Sequence, residues 1–249
     1  ASADYKEQGK GVVWRDLTLV QFVWTGAGWK ELGVFAENCM NNFPPEMLGG
    51  QLFMPCRGSR MELFAARGTA GRWTYEKLNG PFARLDEPSW FVGADGVAHL
   101  VIRDNQRSRR LIHSFSRDGG KTWTEPVRTD FPDAMAKFNV LRLRSGLYVM
   151  ASNPNVSGVR IPLSLSVSRD GRIFSGQGVL RGGPAVYRYA GKDPGYAGYH
   201  YPQMVERGGF LYVIHAENME DIVVSRVAVR AVEALLGERA VEFRAAKAE

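Results

Sequence analysis

The sequence predicts an all-β chain folded as a β-propeller of four-stranded antiparallel blades. Three observations carry that expectation. One strand-turn-strand pattern recurs along the chain, with its turn glycines at Gly50, Gly96, Gly146 and Gly209, in steps of 46, 50 and 63 residues. A distinctive polar turn sits at one place in two successive repeats. Finally, the 249 residues are 45% hydrophobic, 23% charged and 11% aromatic, a profile that excludes disorder, collagen and coiled coil. A period of roughly 40 to 50 residues built from short strands is that of a propeller blade.

Taken in order, residues 11 to 36 offer strand-like runs around Val12 to Trp14, Leu17 to Trp24 and Trp29 to Phe35. They lack an evident inner partner and read as an incomplete blade. Four repeats follow, opening with the hairpins Asn41 to Arg57, Glu87 to Arg103, Lys137 to Asn153 and His200 to Ala216. Each is an apolar run, a Gly turn and a second apolar run, because glycine accepts the positive φ of a tight turn. Further strands are expected at Met61 to Ala66, Trp73 to Leu78, Leu111 to Phe115 and Trp123 to Val127. A helix is expected over Ala228 to Leu236, stopped by Gly237, with Val241 to Phe243 returning as an outer strand. The expected architecture is a single domain over residues 1–249, with about five blades or an incomplete ring of six that lacks N-terminal blade material. The chain opens on Ala1 and reads as mature or trimmed.

The formal net charge is +6, with 32 Lys and Arg against 26 Asp and Glu. Of the 32, 24 are Arg, whose planar fork grips carboxylates bidentately. The densest basic run, Arg107-Ser108-Arg109-Arg110, fits a solvated hairpin, and no nucleic-acid-binding module is recognisable. No stretch reaches the ~18 to 20 apolar residues that span a bilayer. His99, His113, His200 and His215 lack metal-ligand spacing, so neither a metal nor another cofactor is expected; His99 and His113 fall on neighbouring strands and could pair structurally. Cys39 and Cys56 flank the first hairpin and are read as two unpaired thiols, a disulfide being the alternative for an exported chain.

Ser116-Arg117-Asp118-Gly119-Gly120-Lys121-Thr122-Trp123 stands between the third and fourth strands of its repeat. Asp118 can accept backbone amides, Gly120 tolerates positive φ, and Trp123 can fill the gap between blades. A weaker copy, Ser168-Arg169-Asp170-Gly171 with Phe174, follows in the next repeat. Both are read as structural. At the rims of the apolar strands, residues at corresponding repeat positions are polar: Asn41, Glu87, Lys137 and His200 at one end, Arg57, Arg103 and Asn153 at the other. As a set they point to a polar pocket on the axis. Trp90 is read as inter-blade core rather than a platform on which a ligand stacks.

The first turn motif matches the Asp box of sialidases, and residues 40–227 as a whole resemble the sialidase (neuraminidase) superfamily. Three stretches carry the likeness: Asp86-Glu87-Pro88 through Arg103-Asp104, Arg160 before the second Asp-box strand, and Tyr199 to Val205 leading to His215-Ala216-Glu217. The resemblance implies that Tyr201 is a nucleophile, that Glu87 withdraws its phenolic proton, and that Arg103 and Arg160 clamp a sugar carboxylate. Tyr199 competes with Tyr201 for the nucleophile's role, but Tyr201 directly precedes Pro202. A neutral phenol also suits a substrate whose negative group would repel a carboxylate nucleophile.

Departures accompany the likeness. Arg160-Ile161-Pro162 has the letters of the family's first arginine stretch but stands in the wrong repeat, so that arginine is unassigned; Arg57 is its candidate replacement. No acid Asp is assignable, Asp4 and Asp16 lying in poor contexts. Asn41, Asn42, Lys137, Asn139, Asn153, His200 and Glu217 are further pocket candidates. The function implied is an exo-acting, retaining hydrolase of carboxylated terminal sugars, with an acidic glycan as partner and export as the implied location. A non-catalytic glycan-binding propeller, or a hydrolase or lyase for another polysaccharide, remains open.

Overall fold

The computed structural model describes residues 17–59, 62–78, 85–189, 197–236 and 241–242. A hairpin of β1 (Thr18–Trp24) and β2 (Trp29–Glu37) precedes four blade-like sheets. The first holds β3 (Glu46–Leu48), β4 (Gln51–Arg57), β5 (Leu63–Thr69) and β6 (Arg72–Lys77). The second holds β7 (Leu85–Val92), β8 (Ala98–Asp104), β9 (Arg110–Ser116) and β10 (Val127–Pro132). In the third are β11 (Asn139–Arg142), β12 (Tyr148–Ser152), β13 (Leu163–Ser168) and β14 (Ile173–Arg181). The fourth has three strands, β15 (Tyr199–Arg207), β16 (Phe210–Glu217) and β17 (Asp221–Ala228). A short helix α1 (Val229–Glu233) follows, and β18 (Val241–Glu242) returns to pair with β14. All of these pairings are antiparallel.

The four turn glycines adopt φ of 82°, 77°, 91° and 78°, the left-handed conformation that the hairpins require. The all-β propeller of antiparallel blades is as expected; among the described residues four blades and a hairpin stand beside the expectation of about five blades or an incomplete ring of six. The run at Val12 to Trp14, with Asp4 and Asp16, lies outside the described residues. The strand expected at Trp123 to Val127 begins at Val127 instead, because Trp123 belongs to the turn and donates its indole N–H to the Gly120 carbonyl at 3.2 Å. The helix is shorter than expected, continuing as a turn through Leu236.

Blade stacks on blade through side chains that alternate along each strand. Leu48, Phe53 and Leu63 of the first blade meet Leu100, Ile102 and Ile112 of the second, with Trp90 and Trp123 packed against them. Trp123 stacks on Phe53 at 5.3 Å between centroids, and Trp90 meets the same ring edge-on at 4.7 Å, so Trp90 is core. Phe91, Val101 and Phe131 join Phe138, Tyr148 and Phe174 across the next interface. Val149, Leu165 and Val167 then join Leu211, Val213 and Val232. Each large side chain so buried contributes ~1.5 to 3 kcal/mol.

The Asp boxes latch these interfaces. The Ser116 hydroxyl bonds Asp118 and receives Gly120 N–H, each at 2.8 Å, while Asp118 accepts the amides of Lys121 and Thr122 and the Thr122 hydroxyl. Those bonds, from Thr122 foremost, hold the Asp118 carboxyl well below the usual range although it is exposed. The turn abuts the preceding blade so closely that a Cβ on Gly49 would lie 2.6 Å from the Gly119 carbonyl oxygen. In the second box Ser168 and Asp170 repeat the bonding, and Gly171 sits against the Phe91 ring. His99 and His113 share a ring-nitrogen hydrogen bond at 3.0 Å, and burial lowers their pKa values to about 4 and about 3. They are a neutral pair of the core.

Cys39 and Cys56 form a disulfide, which corrects the expectation of two free thiols. The bridge lies among Ala36, Met54 and Ala66, where β2 and its following turn fold over the first blade. Hairpin spacing alone does not show the approach; packing brings their Cα atoms to 5.3 Å. Closing a 17-residue separation restricts the unfolded chain by about 3 kcal/mol. Replacing both cysteines by serine is expected to lower Tm by roughly 10 °C in calorimetry, with reductant lowering only the wild type.

Candidate functional site

Two inner strands carry the same local distortion. In β7 the pairing with β8 slips between Asp86 and Ser89; in β15 the pairing with β16 slips between His200 and Gln203. At each bulge a residue before proline takes a left-handed backbone: Glu87 at φ 45° before Pro88, and Tyr201 at φ 53° before Pro202. Both conformations are costly for a non-glycine residue, by about 1 to 3 kcal/mol, and bulges re-aim side chains out of the alternation of a strand. Equivalent positions two blades apart thus present a carboxylate and a phenol.

Around Glu87 the chemistry is ionic. Its carboxylate receives Arg103 Nη1 at 2.5 Å, both side chains being 14% exposed. Burial is the largest influence on Arg103 and weakens its charge, yet the charge and hydrogen bond of Glu87, with the charges of Asp86 and Asp133, together outweigh it and raise the guanidinium's proton affinity. Beside this pair a second one, Arg57 with Asp86 at 2.6 Å, is buried more deeply. Asp86 also accepts the Asn105 amide and the Glu87 backbone N–H. Arg57, proposed from sequence as a carboxylate clamp, is thereby neutralised from within the protein.

Around Tyr201 the contacts are those of Arg160. Its guanidinium lies 5.7 Å from the centre of the Tyr201 ring, and Nη1 donates to His200 Nδ1 at 2.6 Å. The imidazole therefore accepts at Nδ1 and carries its proton on Nε2. Arg160 Nη2 donates to the Met135 carbonyl at 3.4 Å. The backbone of Arg160 is fixed as well, its carbonyl accepting Asn153 Nδ2 at 3.0 Å and the Tyr199 N–H at 2.9 Å. Asn153 is accordingly a buried brace. Tyr199 is buried, packs on His215 and points its hydroxyl at the Gly182 carbonyl, whereas Tyr201 is partly exposed.

The remaining candidates divide. Lys137 reaches the Asn42 carbonyl at 3.4 Å and lies over the Phe43 ring; burial lowers its pKa against the pull of Glu87. Gln203 reaches the same carbonyl, so Asn42 joins the first blade to the third and fourth. Asn41 bonds its own loop at the Phe43 carbonyl. The Asn139 side-chain oxygen accepts Met204 N–H at 2.9 Å, stitching β11 to β15. Glu217 pairs with Arg181 at 3.3 Å, whose guanidinium lies over Tyr199. Among the described residues Glu87 bonds Arg103, and no hydrogen bond joins it to the Tyr201 hydroxyl.

Sequence reasoning passed over Asp86 and Asp133. Asp86 stood in a quoted motif beside Glu87; Asp133 carried no sequence signal, and lies buried in the turn before β11. Burial raises its carboxyl to about 7, against the amides of Ala136 and Met135 and the charge of Arg103.

The fold can be set beside known proteins on this geometry. The intramolecular trans-sialidase of Ruminococcus gnavus, in complex with oseltamivir carboxylate, superposes with a TM-score of 0.58 at 15% identity, over 83% of this chain and 49% of that one. For the leech intramolecular trans-sialidase, complexed with 2,7-anhydro-Neu5Ac, the values are 0.63, 14%, 87% and 37%. The α-L-arabinanase of Penicillium chrysogenum, complexed with arabinobiose, gives 0.58 at 12% identity, over 89% and 69%. At such identity the likeness is one of fold, and the chain spans half or less of the length of the two trans-sialidases. No curated protein sequence matches. A family model described as a BNR repeat-like domain matches residues 7–213. With that match over most of its length, and with a sialidase-like fold of stacked Asp-box blades, the chain belongs to the BNR repeat-like domain family.

Proposed function

We propose that this protein is a sialidase-like, exo-acting glycoside hydrolase that takes carboxylated terminal sugars, sialic acid or related, and works with retention. The observation that supports the reading is the grouping of Glu87 with Arg103 and of Arg160 with Tyr201, joined across the blades by the 133–137 turn. In this reading Arg103 and Arg160 hold the substrate carboxylate and fix the ring. Glu87 takes the Tyr201 phenolic proton; the phenolate oxygen bonds the anomeric carbon as the bond to the leaving oxygen breaks, and the leaving oxygen takes a proton from solvent. Water then bonds the anomeric carbon as the bond to Tyr201 breaks, Glu87 returning its proton to the phenolate while solvent takes the proton lost by the water. Lys137 adds positive charge beside the clamp. Glu87 must release Arg103 in part to act as base, an exchange that an arriving carboxylate favours by competing for the guanidinium.

Incubation with a fluorogenic sialoside and with uronate-terminated oligosaccharides tests the proposal. Turnover with release of the sugar in its original anomeric configuration is expected; a folded protein that turns over neither substrate overturns it. The hold of Arg103 on Glu87 also favours a second reading, a non-catalytic glycan-binding propeller. Binding of sialic acid without turnover, unaffected by loss of the Tyr201 hydroxyl, would select that one.

A further inference from the structure

The turn between β10 and β11 touches the first three blades. Asp133 opens it, its own N–H donating to the Arg109 carbonyl at 3.0 Å, and the Ala134 N–H donates to the Asn153 carbonyl at 3.1 Å. Asp133 Oδ1 accepts the Ala136 N–H at 3.3 Å, and the Met135 amide adds to it, so the carboxyl clasps the turn from inside. Met135 takes φ 57° within this clasp and directs its carbonyl at Arg160 Nη2. Two residues later Lys137 reaches the first blade at Asn42. Asp133 is 3% exposed, and its Oδ2 is buried without a hydrogen-bond partner among the described residues. The charged groups that act on it are Arg103 from β8 and Glu87 from β7; Lys137 and Arg160 attach to the turn it clasps.

We propose that Asp133 is a positioning residue for the site, the brace that keeps Arg160 and Lys137 in register with the Glu87–Arg103 pair, and that ionising it loosens that register. The inference rests on the reading of these residues as one ligand site. As the neutral acid, Asp133 leaves Arg103 to Glu87. Once ionised, it becomes a second buried carboxylate competing for the same guanidinium and repelling Glu87. Burial carries its titration to about 7, far above an exposed Asp. The sign follows: the folded state holds this proton more tightly than the unfolded chain. The stability it contributes is therefore full below the ordinary Asp range and is lost as pH rises through about 7.

Asp133→Asn keeps the clasp and removes the charge; Asp133→Ala removes both. Three readouts on the intact chain, taken from pH 5 to 8.5, test the proposal: Tm, the Arg160 Nε–H resonance in protein labelled with 15N-arginine, and affinity for N-acetylneuraminic acid. Relative to Asp133→Asn, wild-type Tm is expected to fall across the range; His99 and His113, common to both proteins, cancel in the difference. The Arg160 resonance is expected to move with a midpoint near 7 in the wild type and to stay flat in Asp133→Asn. Affinity weakens roughly tenfold over the same interval in the wild type only, as a displaced clamp predicts. If Asp133→Ala folds, it binds weakly at every pH, with Asn restoring the low-pH affinity. Parallel Tm curves, or an Arg160 resonance that titrates alike in both proteins, overturn the proposal. No binding of N-acetylneuraminic acid at any pH, with the first two readouts as expected, would instead sink the carboxylated-sugar reading and leave the brace standing.

Discussion

Tyr201→Phe is expected to abolish sialoside turnover, by at least about 10³-fold in kcat, while Tm stays within a few degrees of wild type. The hydroxyl is all that changes. Among the described residues it makes no hydrogen bond that folding would miss, and the ring keeps its place beside Arg160 and His200. A core tyrosine such as Tyr199, whose hydroxyl is directed at the Gly182 carbonyl, would behave differently, losing stability in place of rate. Sialic acid affinity should be nearly unchanged in Tyr201→Phe, since the clamp is untouched. Turnover surviving at more than a tenth of wild type would remove Tyr201 from the nucleophile's role and return the choice to a water-based or binding-only reading.

Arg160→Lys is expected to cost about 10²-fold in kcat/KM, mostly as raised KM, with the fold intact. The substitution keeps the charge and discards the fork. Arg160 spends Nη1 on His200 and Nη2 on the Met135 carbonyl, so its plane is set before any ligand arrives. A lysine ammonium is a point donor on a flexible stem; held by His200, it cannot also present two parallel N–H groups to a carboxylate. Steady-state kinetics alongside calorimetric binding of N-acetylneuraminic acid separate the effects. Equal losses in kcat with unchanged affinity would show that Arg160 serves the reaction rather than the clamp.

How far these residues could be read in advance varied with the physics involved. The blades were legible because hairpin turns need left-handed glycine, so Gly50, Gly96, Gly146 and Gly209 marked the strand pairs directly. The Asp box was legible because its bonds are local, within the eight residues from Ser116 to Trp123. Glu87, Arg103, Arg160 and Tyr201 were reachable through repeat position and resemblance. What escaped depended on groups distant in sequence. Arg57 reads as an available cation until Asp86 is found 29 residues on and against it. Asp133 reads as an ordinary polar turn residue after Pro132, and only the closure of three blades around it makes it a buried acid. The disulfide likewise needed the chain after β2 to fold across the first blade.

The close apposition of Gly49 and Gly119 carries an implication for how the molecule comes apart. Main chain meets main chain there, with no flexible side chain between to absorb a shift. The β3–β4 turn of the first blade and the β9–β10 turn of the second are thus geared, and one cannot shift without carrying the other. Fluctuations that part these two blades must be concerted, which shields Glu87 and Arg103 in the second from piecemeal fraying.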